Sequence, residues 1–366
     1  MKKAFPLSSV LCSAVSICLV LAMCVPSVTG KIALAAAGLV MPEGMYSLIM
    51  REKGDSSEKK ENAQTGQVNN NRGLSQSVEA FSIPEDVLEI EKKYTVLLAK
   101  SKVAGKITEK FYTDYQATHS FGNVFVRNTT ATQQSLDIEN KLAEKAELKI
   151  ENIADPTVLI FHSHTSEGYQ MTENESFFKS YKDRTNDESR NVVRVGTEIV
   201  RVLKEHGIGV IHDKVIHDDS YSGAYGHSRS TVSQYLEKYP SIRVVIDVHR
   251  DAIHPSDKEK IAPTAVINGK KSAQVMIITG VEEGKVEDFP DWEKNLRFAL
   301  ALQQQAQNQY EGLMRPVLFS PRKYNMDVSH CGILLEMGSD ANTLGEAVYA
   351  GALVADSLAN LLKQYT

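Results

Sequence analysis

Cysteine is scarce in this chain, and the few cysteines are poorly placed for disulfides. Of the four in the 366-residue sequence, Cys12, Cys18 and Cys24 lie within one uncharged stretch near the N-terminus. Cys331 stands alone in the rest of the chain, so no intramolecular disulfide is expected there. A lone cysteine can be a nucleophile, but a buried, small apolar residue is its more common role. The sequence therefore predicts a fold that does not depend on disulfides.

The sequence also lacks the signatures of two large classes of protein. It contains no HExxH or CxxC motif, so no short motif identifies a metal site. The formal net charge is −5, and nothing resembles the concentrated basic face of a nucleic-acid-binding protein. We therefore expect no nucleic-acid partner, and any metal site must come from residues that are distant in sequence.

Charge is absent from residues 7–28, which form a long apolar run behind Lys2 and Lys3. About 20 apolar residues suffice to cross a bilayer, and the lysines would stay on the cytoplasmic side. A signal peptide cut near residues 35–37 is the alternative, but the run is longer than the usual apolar core of such a peptide. We predict that residues 1–50 contain a transmembrane anchor and that the remainder is exported.

Composition divides the rest of the chain into three parts. Residues 51–80 are rich in charged and amide side chains, which predicts a flexible linker because little apolar surface is available for burial. Residues 81–150 are predicted to form a small accessory region, with a helix through Leu98 and a short strand at residues 124–126. Residues 151–366 are predicted to form the catalytic domain.

The catalytic part alternates between strands and helices. Continuous apolar runs such as residues 158–161 and 244–248 are typical of strands buried on both faces. Helical spacing of apolar residues appears between them, for example over residues 190–205. A last helix is expected near Thr343, where Thr343 and Glu346 fit a capping box. The pattern predicts an α/β fold with a mostly parallel or mixed sheet flanked by helices.

Polar residues follow three of the predicted buried strands. The segment HSHTSE (residues 162–167) follows VLIF, His249 follows VVIDV, and Glu336 follows ILL. If these strands are parallel, their carboxyl ends open at one edge of the sheet, where ligands bind in such folds. The sequence therefore predicts that imidazoles and carboxylates meet in one cleft.

Metal-assisted hydrolysis is the chemistry that needs this set. Catalytic zinc takes three protein ligands from His and carboxylate side chains, and a separate carboxylate serves as general base. We predict His164 and His249 as ligands and Glu336 as the base. Arg250 is placed with Glu336 among the catalytic residues because its guanidinium would enter the same cleft. The alternative for Glu336 is an ion pair with Arg250.

The sequence offers three alternatives for the third zinc ligand. Glu167 is near His164 in sequence, while Glu188 stands just before a predicted helix and could reach in from its start. His162 lies two positions from His164 and would point to the opposite side of a strand, so it could bind the same metal only if the strand has ended.

Five segments together resemble the stage II sporulation protein P family: VLIFHSHTSEGY, NVVRVGTEI, GIGVIHD, VVIDVHRDA and LLEMGSDANTLGEA. The resemblance covers roughly residues 155–364, and it implies a zinc-dependent N-acetylmuramoyl-L-alanine amidase that also cleaves peptide cross-links as an endopeptidase. By motif, His164 and His249 correspond to ligands and Glu336 to the catalytic glutamate. Related amidases carry a ligand glutamate just before the first long helix, where Glu188 is slightly displaced, so Glu167 is ranked first.

The resemblance also implies a setting. Members of the family are anchored in the mother-cell membrane, face the septal space, and degrade cell-wall peptidoglycan during engulfment of the forespore. Stage II sporulation proteins D and M are the implied partners. Two other readings remain: a non-catalytic peptidoglycan-binding module on an amidase fold, and an exported zinc deacetylase acting on glycan.

Overall fold

The computed structural model describes residues 81–366, so the predicted anchor in residues 1–50 and the predicted linker in residues 51–80 lie outside the described residues. Within residues 81–366, no helix is both long enough and apolar enough to span a membrane.

The described part contains strands in two sheets and helices on both sides of the larger one. The strands are β1 (Val103–Lys110), β2 (His119–Phe121), β3 (Val124–Asn128), β4 (Pro156–Phe161), β5 (Ser176–Phe178), β6 (Gly209–His212), β7 (Val244–Asp251), β8 (Glu259–Ile267), β9 (Lys270–Ala273), β10 (Val275–Gly280), β11 (Val317–Ser320) and β12 (Cys331–Ser339). The α-helices are α1 (Glu85–Leu98), α2 (Ile138–Ala143), α3 (Val192–Glu205), α4 (Ala224–Lys238), α5 (Trp292–Gln309) and α6 (Leu344–Leu362). Short 3₁₀ helices occupy Asp114–Gln116, Tyr221–Gly223, Met326–Val328 and Lys363–Tyr365.

The larger sheet has eight strands in the order β2-β3-β11-β10-β12-β7-β4-β6. Strands β12, β7, β4 and β6 run parallel to one another, whereas β10 is antiparallel to β12. The smaller sheet has four strands in the order β5-β1-β8-β9. The predicted α/β fold is confirmed for the described residues, and the large sheet is mixed.

Helices cover both faces of the large sheet. Helices α3, α5 and α6 pack on one face, against residues such as Ile246 and Leu335. Helix α4 covers the other face, over Phe161 and Val245. Because successive side chains of a strand point to opposite faces, the odd-numbered residues of β7 face α4 and the even-numbered ones face α3, α5 and α6. This alternation decides which polar side chains can meet at the end of β7.

Helix α6 is surrounded by protein. All of its residues except Asn360 are buried, as expected for a helix that is apolar on every side. The predicted capping box is present at its start: Glu346 N donates to Thr343 Oγ1 at 3.1 Å, and Thr343 N donates to a Glu346 carboxylate oxygen at 3.2 Å. The box satisfies two backbone donors that the helix itself cannot satisfy.

Residues 81–150 contribute strands to both sheets. Strand β3 pairs in parallel with β11 of the large sheet, and β1 pairs in parallel with β8 of the small sheet. The predicted helix through Leu98 is confirmed as α1, and the predicted strand at residues 124–126 is confirmed as β3. The division of function between residues 81–150 and 151–366 stays a prediction.

The chain turns sharply just after Glu336. Gly338 has a φ of +71°, and a Cβ at this position would lie 2.7 Å from Asn342 Oδ1. Glycine is needed here because other residues rarely adopt a positive φ and because no space exists for a side chain. The pairing of β12 with β7 shifts register between Glu336 and Ser339, so regular pairing ends just beyond Glu336.

Candidate active site

Three neighbouring parallel strands bring the predicted site residues to one edge of the large sheet. Strands β12 and β7 pair with Glu336 beside His249, and β4 pairs with β7 so that Phe161 lies beside Asp247. Residues 162–167 follow β4 directly. The three strands are therefore parallel and adjacent, which is the condition that the sequence required for a shared site.

His164, Glu167 and His249 lie together at this edge. Glu167 Oε2 is 3.4 Å from His249 Nδ1, and the rings of His164 and His249 are perpendicular with their centroids 5.3 Å apart. All three side chains are buried, and so is that of Glu336. Since 249 and 336 are register partners in parallel strands, Glu336 and His249 project to the same face of the sheet, toward α4.

Buried charges of opposite sign face one another in this cluster. Burial opposes ionisation of Glu167, but a hydrogen bond with His249 and the nearby positive charges outweigh it and lower the pKa of this carboxyl to about 2. Burial also lowers the pKa of His249, but the carboxylates of Asp247 and Glu167 outweigh it and raise that pKa well above its usual value. Burial and the neighbouring His249 lower the pKa of His164. Two buried carboxylates thus converge where they favour a cation.

We compared this arrangement with what zinc requires. Within residues 81–366, no three His, Cys, Asp or Glu side chains stand close enough together to hold a metal ion. Two of the predicted ligands nevertheless fit, because donor atoms each ~2.1 Å from a tetrahedral zinc lie about 3.4 Å apart, as His249 Nδ1 and Glu167 Oε2 do. Two histidines and a glutamate are also a known catalytic zinc set. The donor chemistry therefore suits zinc, and the three-ligand site stays a prediction.

Asp247 holds both His249 and the loop after β4. Its Oδ1 lies 2.9 Å from His249 Nε2 and accepts from the backbone N of Ser163 at 2.8 Å, while its Oδ2 accepts from Ser163 Oγ at 2.6 Å. Ligand histidines commonly turn their second ring nitrogen to a carboxylate that fixes the ring. Asp247 was not predicted from the sequence, although a lone aspartate inside the apolar run VVIDV was a visible signal.

Arg250 points to the other face of the sheet from His249. Its guanidinium donates to the backbone carbonyls of Gly168 at 3.0 Å and Asp183 at 3.2 Å. Its backbone N donates to Glu167 Oε2 at 3.1 Å. These contacts hold the Glu167 segment in place, which is a positioning role. The predicted catalytic role of Arg250 stays a prediction.

The structure separates Glu167 from the two alternatives for the third ligand. Glu188 is exposed, and its carboxylate pairs with Lys214 at 3.3 Å. His162 turns toward α3, where its Nε2 is 2.9 Å from His212 Nε2 and its Nδ1 is 2.9 Å from the carbonyl of Val248. Of the three, only Glu167 lies against His249.

Two tyrosines extend the site on the α4 side. The ring of Tyr225 lies parallel to His249 with centroids 6.4 Å apart, and edge-on to His164 at 5.4 Å. The ring of Tyr324 stacks on Tyr225 with centroids 4.9 Å apart, and the guanidinium of Arg322 lies 5.3 Å from the Tyr324 centroid. These residues form an aromatic wall (Tyr225 and Tyr324) beside the predicted ligands. The wall was not predicted from the sequence, because it joins the start of α4 to a loop almost 100 positions further along the chain.

The backbone that carries Tyr324 is unusual. Tyr324 and Asn325 have φ values of 42° and 59°, a left-handed conformation that non-glycine residues adopt only when their surroundings hold them. Asn325 is buried, and its Nδ2 donates to the carbonyl of Tyr225 at 3.0 Å and to Ser228 Oγ at 3.1 Å. These hydrogen bonds hold the loop that carries Tyr324 against the start of α4, which carries Tyr225.

Cys331 lies at the other end of β12 from Glu336. It is buried, and burial raises the pKa of its thiol to about 12. A thiol in this state is protonated at neutral pH and is a poor nucleophile, which favours the apolar role over the catalytic one.

The sequence matches a known family and one curated relative. The family model described as stage II sporulation protein P matches residues 50–359. Stage II sporulation protein P of Bacillus subtilis (strain 168) is 28% identical over 212 residues, which cover 54% of this chain and 49% of that protein. The chain thus matches about half the length of this relative.

Solved structures of amidases show distant similarity. The CwlD amidase of Clostridioides difficile, solved in complex with the GerS lipoprotein, has 10% identity and a TM-score of 0.37, and the match covers 57% of this chain and 99% of that one. The N-acetylmuramyl-L-alanine amidase of Mycobacterium smegmatis has 11% identity and a TM-score of 0.33, with 58% and 100% covered. Similarity at this level assigns no residue of either amidase to a position in this chain.

Proposed function

The chain belongs to the stage II sporulation protein P family, and we propose on this basis that it hydrolyses peptidoglycan during sporulation. The bond cleaved is the amide between N-acetylmuramic acid and L-alanine, and cleavage of peptide cross-links is a second, endopeptidase activity. The observation that supports the proposal best is the buried cluster of His164, Glu167 and His249, with Glu336 beside it on the next strand.

His164, Glu167 and His249 would hold a zinc ion. Bound zinc would polarise the amide carbonyl and make a water molecule more acidic. The chain's own contribution is to hold the donors in place. Asp247 lies within ion-pair distance of His249, and the Arg250 backbone N donates to the Glu167 carboxylate. Both contacts are buried, where water cannot compete with them.

Glu336 would move the proton during hydrolysis. Its carboxylate accepts a proton from the attacking water as the water oxygen bonds to the lactyl carbonyl carbon. The same proton then passes to the nitrogen of L-alanine as the C–N bond breaks, so the products are a carboxylic acid and a free amine. General base catalysis of this kind contributes ~10²–10⁴-fold to a rate.

Loss of one predicted ligand tests the site. His249→Ala should release little product from purified cell-wall sacculi, and dialysed protein should retain less zinc than the unsubstituted chain. His330→Ala is the matched control, because His330 is a half-exposed histidine that precedes β12 at its other end. Folded His249→Ala protein that solubilises sacculi at the normal rate would eliminate the proposal.

Glu336→Gln distinguishes an enzyme from a wall-binding module on the same fold. The amide keeps the size of the side chain but cannot accept the proton, so sacculi should still bind while product release falls ~100-fold or more. A non-catalytic binding module would bind sacculi and release no product, with or without the substitution. Mass spectrometry of the released fragments separates cleavage at the lactyl amide from loss of acetate, which a deacetylase would give.

The cellular setting is part of the same proposal. Membership in the family supports a protein anchored in the mother-cell membrane with its catalytic part in the septal space. It also supports stage II sporulation proteins D and M as partners during engulfment. Co-purification of these two proteins with the full chain from sporulating cells would test the partnership. Fractionation of the same cells would test the membrane location.

A further inference from the structure

The last two turns of α1 present both apolar and basic side chains to solvent. Val96 is 74% exposed and Leu97 is 59% exposed. Lys92, Lys93 and Lys100 are also exposed, and they lie three or four positions from these apolar residues, a spacing that puts them on one helix face. The buried residues of α1, Val87 and Leu98, belong to its opposite face.

The start of the small sheet extends this surface. Val103, the first residue of β1, is 53% exposed, and the exposed Lys102 precedes it. Val103 pairs with Phe178 of β5, and the next residue, Lys179, donates its backbone N–H to the carbonyl of Lys102 at 3.0 Å. Lys179 is exposed as well. Together these residues form what we call the basic-apolar face: Val96, Leu97, Val103, Lys92, Lys93, Lys100, Lys102 and Lys179.

The lysines of this face have no carboxylate partners. Across residues 81–366, none of the five forms an ion pair with Asp or Glu, whereas nearby Lys106 pairs with Glu259 at 2.9 Å. Residues 92–106 contain no acidic residue at all, in a chain whose net charge is −5. The acidic residues of α1 are confined to Glu85–Glu91. Glu89 is also exposed, three and four positions before Lys92 and Lys93, but it forms no ion pair with either lysine in the described part of the chain. The five lysines therefore leave the basic-apolar face with a net positive charge.

We propose that the basic-apolar face docks on an anionic lipid bilayer. Exposed apolar side chains ringed by lysines are typical of surfaces that lie in the membrane interface, with the apolar groups entering the acyl boundary and the lysines meeting anionic headgroups. A nucleic acid or a wall polymer would pair with the lysines but leave Val96, Leu97 and Val103 in water. Exposed apolar side chains next to unpaired lysines therefore favour an anionic lipid surface over either polymer.

A tryptophan introduced on the face can report the contact. The chain has a single tryptophan, Trp292, which packs against Phe319 and gives a constant background. The full chain carrying Leu97→Trp is mixed with vesicles that contain lipids brominated in the acyl chains, which quench tryptophan only on contact. In phosphatidylglycerol vesicles we expect at least twofold more quenching than in phosphatidylcholine vesicles. Because the signal comes from position 97, membrane insertion of another segment does not imitate it.

Two matched variants control for position and charge. Val266→Trp places the reporter at a residue of the small sheet that is 63% exposed but lies opposite Lys271, whose charge is paired with Glu109. Substituting Gln for Lys92, Lys93, Lys100 and Lys102 in the Leu97→Trp chain should make quenching equal in phosphatidylglycerol and phosphatidylcholine vesicles. Neutralising four exposed lysines elsewhere, Lys145, Lys149, Lys238 and Lys285, changes the net charge equally and should leave the difference intact.

Three outcomes would overturn the proposal. The first is that Leu97→Trp is quenched no more than Val266→Trp in phosphatidylglycerol. The second is that both sets of lysine substitutions have the same effect, since attraction would then depend on net charge alone. The third is that sacculi, but not vesicles, protect the new tryptophan from a soluble quencher, because the occupant would then be wall polymer. The readout does not use hydrolytic activity, so it is independent of the proposed function.

Discussion

The eight-stranded and four-stranded sheets both carry charged residues, but in different surroundings. In the large sheet, Asp247, His249 and Glu336 are buried at or near the carboxyl ends of strands that begin with apolar residues. In the small sheet, most charges sit at the surface and pair across strands, as Lys106 does with Glu259. The exception is Lys260 of β8, which is buried and contacts Asp183 and Asp340. Burying a charge costs several kcal/mol unless partners meet it, whereas a surface pair is worth ~0–1 kcal/mol.

This difference explains where the large sheet keeps its charges. They occur at the carboxyl ends of β4, β7 and β12, where three strands bring opposite charges within contact distance. Elsewhere on these strands no such partners are available, and the side chains are apolar. A buried charge on β7 or β12 therefore accompanies the predicted site, while an exposed charge of the small sheet indicates only a solvated edge.

The largest expected contrast is between a carboxylate of each sheet. Asp247→Ala removes the acceptor for Ser163 and the partner of the charged His249, so the free energy of unfolding should fall by about 3–5 kcal/mol. Glu109→Ala in β1 removes an exposed carboxylate that pairs with Lys271, and should change it by less than about 1 kcal/mol. Urea unfolding followed by circular dichroism measures both.

Asp247→Asn refines this first comparison. The amide keeps the shape of the side chain but loses its charge. Asp247→Asn should therefore lower the free energy of unfolding, but by less than Asp247→Ala does. Zinc affinity should fall ~10–100-fold, as it does when the partner of a ligand histidine is lost. If Asp247→Ala and Glu109→Ala lower the free energy of unfolding by equal amounts, the distinction between the two sheets is wrong.

The free energy of unfolding should depend on pH through Glu346, which lies where α6 meets the small sheet. Burial raises the pKa of Glu346 to about 7, from 4.5 in an unfolded chain, and the hydrogen bonds from Asn342 and Thr343 only partly offset it. Between these two pH values the unfolded state releases its proton while the folded state keeps it. Stability should therefore fall as pH rises from 4.5 to 7, by on the order of 3 kcal/mol.

Glu346→Gln should flatten that part of the stability profile. Glutamine can still complete the capping box, so the variant isolates the titration from the loss of the cap. Glu139→Gln, at an exposed position in α2, makes the same change of charge and should leave the profile unaltered. Urea unfolding at a series of pH values gives the comparison, and an unchanged slope in Glu346→Gln would assign the pH dependence to other groups.

The sequence predicted the large sheet far better than the small one. Strands β4, β7 and β12 contain the segments VLIF, VVIDV and ILL, so their type followed from local pattern. Strand β1 reads VAGKITEK, with no apolar run and only partial alternation, and its pairing with β8 joins residues more than 150 positions apart. Strand β11 is only four residues long. Such strands are defined by tertiary pairing, which local pattern does not contain.

Some residues of the candidate site were also predictable from the sequence, and others were not. His164, His249 and Glu336 were predictable because parallel strands place their carboxyl ends together. Tyr225 and Tyr324 could not have been predicted, because their stacking depends on how the loop carrying Tyr324 folds back onto the start of α4.

A smaller contrast involves two asparagines with left-handed backbone. Asn325 beside the aromatic wall is buried, and its side chain forms hydrogen bonds with Tyr225, Ser228 and Arg229. Asn268 (φ 51°) lies exposed in the turn between β8 and β9. Alanine at either position pays the cost of a positive φ, ~1 kcal/mol. Asn325→Ala also loses buried hydrogen bonds worth ~1 kcal/mol each, so it should cost about 2–3 kcal/mol in unfolding free energy.

Asn268→Ala should cost only about 1 kcal/mol, because asparagine before glycine is favoured in hairpin turns mainly for its backbone preference. Thermal unfolding of both variants measures the difference. If the two substitutions destabilise the protein equally, the hydrogen bonds of Asn325 contribute nothing beyond its backbone conformation, and the aromatic wall is not fastened through them.

The smallest effect should come from the ion pair that defines the surface of the small sheet. Glu259→Gln removes the charge that Lys106 contacts but keeps an oxygen that can accept from Thr108 Oγ1, now 2.9 Å from Glu259. Since the Lys106 side chain is 64% exposed, water and salt screen the pair, and the loss should stay below ~0.5 kcal/mol. Urea unfolding at low and high salt should give the same difference within error, because little interaction remains to be screened. A loss as large as that of Asp247→Ala would mean that burial does not separate the two sheets, and that charge on either sheet could mark a site.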